Sequence, residues 1–96
     1  MRIARVVGNA VSTIKVDSLH GSKLLVVRAA SPSDEPYGEP FVAVDAVGAG
    51  EGELVLISEG SAGRYTPHTA DAPVDAVILA ILDSLDVGGQ MTFRKH

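Results

Sequence analysis

Residues Val44 to Glu53 read Val-Asp-Ala-Val-Gly-Ala-Gly-Glu-Gly-Glu and lead directly into Leu54-Val55-Leu56-Ile57. A β-branched run that meets alternate glycines and then a second apolar run predicts two strands joined by a tight loop. Glycine is used where the backbone takes positive φ or another surface comes close, so Gly48, Gly50 and Gly52 mark a loop built for close approach. What approaches it decides the function.

The rest of the chain divides in the same way. Arg2 to Lys15 is rich in Ile, Val and Thr, and Gly8 within it predicts a bulge or barrel corner in a long bent strand. Asp17 to Gly21 is turn chemistry, and Lys23 to Arg28 is the second strand. Pro32, Pro36, Gly38 and Pro40 keep Ser31 to Pro40 out of any ladder and make it a surface loop. Phe41 to Val44 is the third strand and Glu53 to Ser58 the fourth. Gly60 to Tyr65 suits one short helical turn, and Thr66 to Pro73 is a polar loop.

Strands two, three and four are apolar at consecutive positions, so both faces of their sheet avoid water. A solitary small barrel buries only its inner face. Parallel sheets sandwiched by helices share this pattern, but the chain has too few helical segments to cover two faces. At 96 residues, the chain forms a single domain spanning 1–96, and 46% of it is hydrophobic with only four aromatics. So small a domain seldom hides that much apolar material, which predicts cover from other copies or partners.

The segment Val74 to Leu85 is ambiguous. Val74, Val77, Ile78, Ile81, Leu82 and Leu85 fall on one helical stripe, with Asp71 as a cap and Gly88 as a stop, so periodicity alone favours a helix. Against the helix stand the β-branched content and the Gly88-Gly89 pair, which suits a two-residue hairpin of the primed type between Val77–Val87 and Gln90–Lys95.

Several chemistries are disfavoured. The chain contains no cysteine, so it carries no disulfide, thiolate nucleophile or Cys-based zinc site, which suits a reducing compartment such as the cytoplasm. The N-terminus lacks the uninterrupted apolar stretch of a signal peptide, and no run approaches membrane-spanning length. A net charge of −4 with scattered Lys and Arg disfavours nucleic acid. Phosphate binding by the glycine loop would need a Lys followed by Ser or Thr, whereas Gly50 is followed by Glu51-Gly52-Glu53. His20, His68 and His96 lack metal-ligand spacing, Asp71, Asp75 and Asp83 suit solvating or capping roles, and Ser61 lacks a nucleophile context. No cofactor, metal or catalytic residue is expected. Gly48, Ala49 and Gly50 are candidate contact residues, and the resemblance carried by the motifs below adds Glu51, Ser61 and Arg64 as subunit-contact or pore-proximal candidates.

In their order along the chain, several motifs resemble the vertex proteins of bacterial microcompartment shells, the EutN/CcmL type. These are Val7-Gly8-Asn9-Ala10-Val11-Ser12-Thr13, Leu19 to Val27, Val44 to Leu56, Gly60-Ser61-Ala62-Gly63-Arg64, Pro73-Val74-Asp75, Ile78 to Ser84, and Gly88 to Lys95. The resemblance implies an all-β, OB-like barrel assembled as a cyclic pentamer at the corners of a polyhedral shell in the bacterial cytoplasm. Each five-fold unit removes a wedge from a hexagonal net and forces it to close. Implied partners are four further copies and hexagonal shell proteins, with encapsulated enzymes as further candidates. The resemblance also implies a strand over Val77–Val87. Two departures are visible: Gly60-Ser61-Ala62-Gly63-Arg64 replaces the usual Gly-Ser-Ser-Ala-Arg, and Arg28 stands where Gln is common. The C-terminal Gly88-Gly89-Gln90 resembles the ethanolamine type more than the carboxysome type. The alternative weighed against a shell role is an OB-type module for single-stranded nucleic acid, which needs a basic groove and stacking aromatics.

Overall fold

The protein's structure, a computed structural model, describes residues 1–11, 23–60 and 76–95. Its strands are β1 (Arg2–Ala10), β2 (Lys23–Ala29), β3 (Phe41–Asp45), β4 (Leu54–Glu59), β5 (Ala76–Ile81), β6 (Ser84–Val87) and β7 (Gln90–Arg94). The first five close into a barrel of order β1-β2-β3-β5-β4, and β4 returns to β1. This is the five-stranded Greek-key arrangement of OB-type barrels. All ladders are antiparallel except β3 with β5, which run parallel through only Val44↔Val77 and Asp45↔Ile78. The strands β6 and β7 form a separate two-stranded sheet.

Alternation fixes the core. Ala4 and Val6 of β1, Leu25 and Val27 of β2, Ala43 of β3, Val55 and Ile57 of β4, and Ala76 and Ile78 of β5 point inward and pack with Ala49. Full burial of a Leu, Ile or Val side chain contributes about 1.5–3 kcal/mol, so this aliphatic interior supplies the main driving force. On the opposite face, Val44 and Val77 form a second buried cluster with Leu24 and Leu79. Both faces of β3 and β5 are therefore apolar, as the continuous hydrophobic runs require.

Gly8 marks the expected bulge. Val6 pairs with Val27 and Gly8 with Val26, which leaves Val7 as the extra residue and bends the strand. A second bulge lies where Leu56↔Ala80 is followed by Ile57↔Ile78, skipping Leu79.

The helical periodicity of Val74 to Leu85 is overruled where the chain is described. Val77 and Ile78 are both fully buried on opposite faces because β5 sits between β4 and β3, and a strand placed there satisfies its backbone on both sides. The implied strand over Val77–Val87 is broken at Leu82-Asp83. Leu82 donates its N–H to the Leu54 carbonyl at 2.9 Å, after which the chain leaves the barrel as β6. Gly88 and Gly89, at φ 59° and 82°, make the two-residue turn that pairs Val87 with Gln90. The short helical turn expected over Gly60–Tyr65 falls, beyond Gly60, outside the described residues.

Candidate functional site

The loop from Ala46 to Glu53 joins β3 to β4, which flank β5 in the barrel, and it is fastened by acidic side chains at its two ends. Asp45, at the end of β3, is only 8% exposed. Its Oδ1 accepts hydrogen bonds from the N–H groups of Val47, Gly48 and Ala49 at 3.0, 3.1 and 3.1 Å. Gly48 takes φ 79°, and Gly52 φ 89°. A Cβ at either position would meet no described residue within 4 Å, so among these residues the two glycines serve backbone conformation, not close approach. Gly50 has ordinary φ, and a Cβ there would lie 3.5 Å from the Glu53 Oε1, an ordinary contact. Nothing among the described residues demands glycine at that position.

The second half of the loop is closed by Glu53. Its Oε1 accepts from the Gly50 N–H at 2.7 Å and its Oε2 from Lys95 Nζ at 2.7 Å. Both contacts hold the Glu53 carboxyl below its ordinary range, with the Lys95 bond the larger cause, and Glu53 in turn raises the Lys95 ammonium. Lys23 Nζ donates to the Ala49 carbonyl at 3.1 Å, and the Gly52 N–H to Val6 at 2.8 Å. The loop amides that would cradle a phosphate already bond to carboxylates of the same chain. An external anion would have to displace Asp45 or Glu53.

Beside the loop lies a cleft of about 500 Å³ whose charged walls are Arg5, Asp34, Glu51, Glu53, Arg94 and Lys95. Arg5 reaches Asp34 with both arms of its guanidinium and also donates to the Gly52 carbonyl. Arg2 pairs with Glu59 and lies 5.1 Å over the Phe41 ring. Within the cleft Arg5 is thus paired with Asp34 and Lys95 with Glu53. Such pairing suits holding the turn at Asp34 and the β7 strand against the barrel more than proton transfer. Among the described residues no three His, Asp or Glu side chains gather as a cation site requires.

Of the residues singled out from sequence, Gly48, Ala49, Gly50 and Glu51 share this loop. Ala49, 1% exposed, turns its methyl into the barrel core, which leaves Gly48 and Glu51 as outward members. Ser61 and Arg64 lie outside the described residues, as do His20, His68 and His96. The sequence reading missed Asp45, Lys23, Glu53 and Lys95 as the parts that set the loop. The Asp-x-x-Gly spacing of Asp45 to Gly48 is the available signal, since Asp side chains commonly bond backbone N–H groups a few residues on.

The outer face is the other notable surface. Gly8, Val26 and Val42 are paired in one row across β1, β2 and β3. Val42 is 50% exposed and Val7 beside the bulge 39%. Arg5 and Arg28 form the adjacent row.

A closed OB-type barrel with an internally fastened loop, an exposed valine row and a projecting hairpin defines a small all-β protein built for surface packing. Over residues 1–83 the sequence matches the family model described as ethanolamine utilisation protein EutN/carboxysome. The chain belongs to this EutN/CcmL family. It is 44% identical over 96 residues to the carboxysome shell vertex protein CcmL of Synechococcus elongatus, covering all of this chain and 97% of the relative. It is 39% identical over 95 residues to the microcompartment shell vertex protein EutN of Escherichia coli, covering 99% of this chain and all of the relative. Among solved structures, the GrpN pentameric microcompartment shell protein of Rhodospirillum rubrum superposes with a TM-score of 0.81 at 40% identity, over 91% of this chain and 99% of that one. Identity to the carboxysome relative is no lower than to the ethanolamine one, so similarity over the full length does not favour the ethanolamine type suggested by Gly88-Gly89-Gln90.

Proposed function

We propose that this chain is a structural vertex protein: five copies close into a ring that fills a corner of a polyhedral microcompartment shell in the bacterial cytoplasm, with residues 1–96 acting as one domain and without catalysis. The single observation that carries this reading is end-to-end similarity to proteins named as shell vertex proteins, one of them solved as a pentamer. The exposed Val7 and Val42 on the barrel's outer face support it physically, since apolar rows on a small domain call for cover. Hexagonal shell proteins are the partners such a ring would meet, with encapsulated enzymes as further candidates on the inner side. Gly50 supports a contact role for the loop, because the described residues of the protomer give no reason for glycine there. Ser61 and Arg64 enter the same proposal as subunit-contact or pore-proximal residues on resemblance alone.

The OB strand order would equally suit a module for single-stranded nucleic acid. Net charge −4 and the pairing of Arg2 and Arg5 with carboxylates argue against it, because such modules need uncommitted cations along a groove. Light scattering on the purified chain decides between them. A five-subunit mass is expected; a stable monomer with micromolar, salt-dependent oligonucleotide binding would replace the shell reading.

A further inference from the structure

The Glu53 side chain holds two separate elements at once. Its Oε1 accepts from the Gly50 N–H in the β3–β4 loop, and its Oε2 accepts from Lys95 Nζ just beyond β7, each at 2.7 Å. The two oxygens of a carboxylate move as one plane about a soft terminal torsion, so a strong bond to one fixes where the other points. Lys95 exerts the larger influence on this carboxylate, and it thereby sets the direction in which Oε1 meets the loop.

Each element also has anchors that bypass Glu53. The first half of the loop hangs on Asp45, whose Oδ1 accepts from the Gly48 N–H at 3.1 Å, and Lys23 Nζ holds the Ala49 carbonyl at 3.1 Å. The hairpin begins where the Leu82 N–H meets the Leu54 carbonyl at 2.9 Å, and its base closes through the Lys95 N–H on the Asp83 carbonyl at 2.7 Å. Among the described residues, the Lys95–Glu53 contact is the only side-chain hydrogen bond joining β7 or its end to the barrel. The charges around this link are Arg5 of β1, Lys23 of β2, Asp34 in the turn after β2, Glu51 in the loop, Asp83 before β6 and Arg94 of β7. Lys23 favours the ionised carboxylate and Asp83 the ionised ammonium, while Arg5 and Asp34 are paired with each other. Glu51 and Arg94 are exposed, where solvent screens them. The link is closed at neutral pH and opens on the acid side, when Glu53 takes up a proton.

We propose that Glu53 is a relay between the hairpin and the loop: a movement that draws Lys95 away from it also loosens the Gly50 N–H, and acid releases both elements together. The relay lies within one protomer and stands whatever number of copies assemble. Amide exchange followed by NMR on the full chain reads it. Lys95→Met should speed exchange of the Gly50 N–H, which Lys95 does not touch, at least about fivefold, while the Gly48 N–H held by Asp45 changes by less than about twofold. Lys95→Arg should restore protection at Gly50. In a pH titration of the unmodified chain, the Gly50 and Lys95 amide resonances should shift with one shared midpoint below 4.5, the ordinary value for the carboxyl, and Glu53→Gln should abolish both shifts. Unchanged Gly50 exchange in Lys95→Met, an equal rise at Gly48 and Gly50, or separate midpoints for the two amides would each overturn the proposal. So would loss of all protected amides at that midpoint, which would make the acid event unfolding.

Discussion

Removing the Asp45 carboxylate tests whether the β3–β4 loop is held from within. In Asp45→Ala the N–H groups of Val47, Gly48 and Ala49 lose an acceptor that stands 3.0–3.1 Å away. Val47 and Gly48 lie at the surface, so water replaces their bonds and the loss is about 1 kcal/mol together. The Ala49 N–H is buried and is left without a partner, which costs a further ~1–3 kcal/mol. The expected destabilisation is therefore about 3 kcal/mol, a large share of the ~5–15 kcal/mol that holds a domain together. In a domain of this size it lowers the melting temperature by roughly 12–24 °C. Asp45→Asn keeps Oδ1 as an acceptor, loses only the charge, and should cost about 1 kcal/mol. Urea unfolding followed by circular dichroism measures the difference, at one fixed protein concentration because assembly adds stability by mass action. Losses below about 0.5 kcal/mol in both variants would show that the loop is held by something other than this carboxylate.

The two central glycines should separate backbone strain from contact with a neighbour. Gly48→Ala places a side chain at φ 79° and should cost ~1–2 kcal/mol in the isolated protomer, whereas Gly50→Ala should change its unfolding by less than about 0.5 kcal/mol. Gly50→Val should leave the protomer folded yet reduce the pentamer fraction in native mass spectrometry; unchanged assembly would remove Gly50 from the interface. The Glu53–Lys95 pair sets a pH window. Because the folded Glu53 carboxyl lies below its ordinary 4.5, its contribution is complete above that value and is lost as pH falls through the folded pKa. The Lys95 ammonium lies above its ordinary 10.5, so its contribution is complete below that value and is lost as pH rises through the folded pKa. Lys95→Met should flatten both limbs of a melting-temperature profile, and an unaltered acid limb would assign that limb to other carboxylates.

Local chemistry made much of the architecture readable. Gly8 announced its bulge and Gly88-Gly89 their hairpin because each needs a conformation or spacing that few other residues supply. The consecutive apolar residues of β3 were equally plain, since both faces of that strand are covered. Val77, Ile78 and Ile81 were not decidable by spacing, because a strand covered on both faces and an amphipathic helix can carry the same residues. Only pairing with β3 and β4 separates them. The site was less readable still. Lys95 meets Glu53 across 42 residues of sequence, and only the short Asp45-x-x-Gly48 spacing hints that Asp45 accepts from the three amides that follow it. Gly48 and Gly52 suggested a surface pressed against the loop, but within the chain their role is left-handed backbone geometry.

The parallel junction of β3 and β5 has a kinetic consequence. Four long antiparallel ladders build a curved sheet, and two residue pairs turn it into a cylinder. Those pairs join positions more than thirty residues apart through the shortest ladder of the barrel, so closing them returns few contacts for its loop-closure entropy and belongs late in folding. Until they form, Val44 and Val77 and two unpaired backbone rims face solvent, and the nascent molecule is a sticky ribbon. Once they form, the rims of the barrel vanish, and among the described residues only the β6–β7 sheet still offers an open strand edge to another copy.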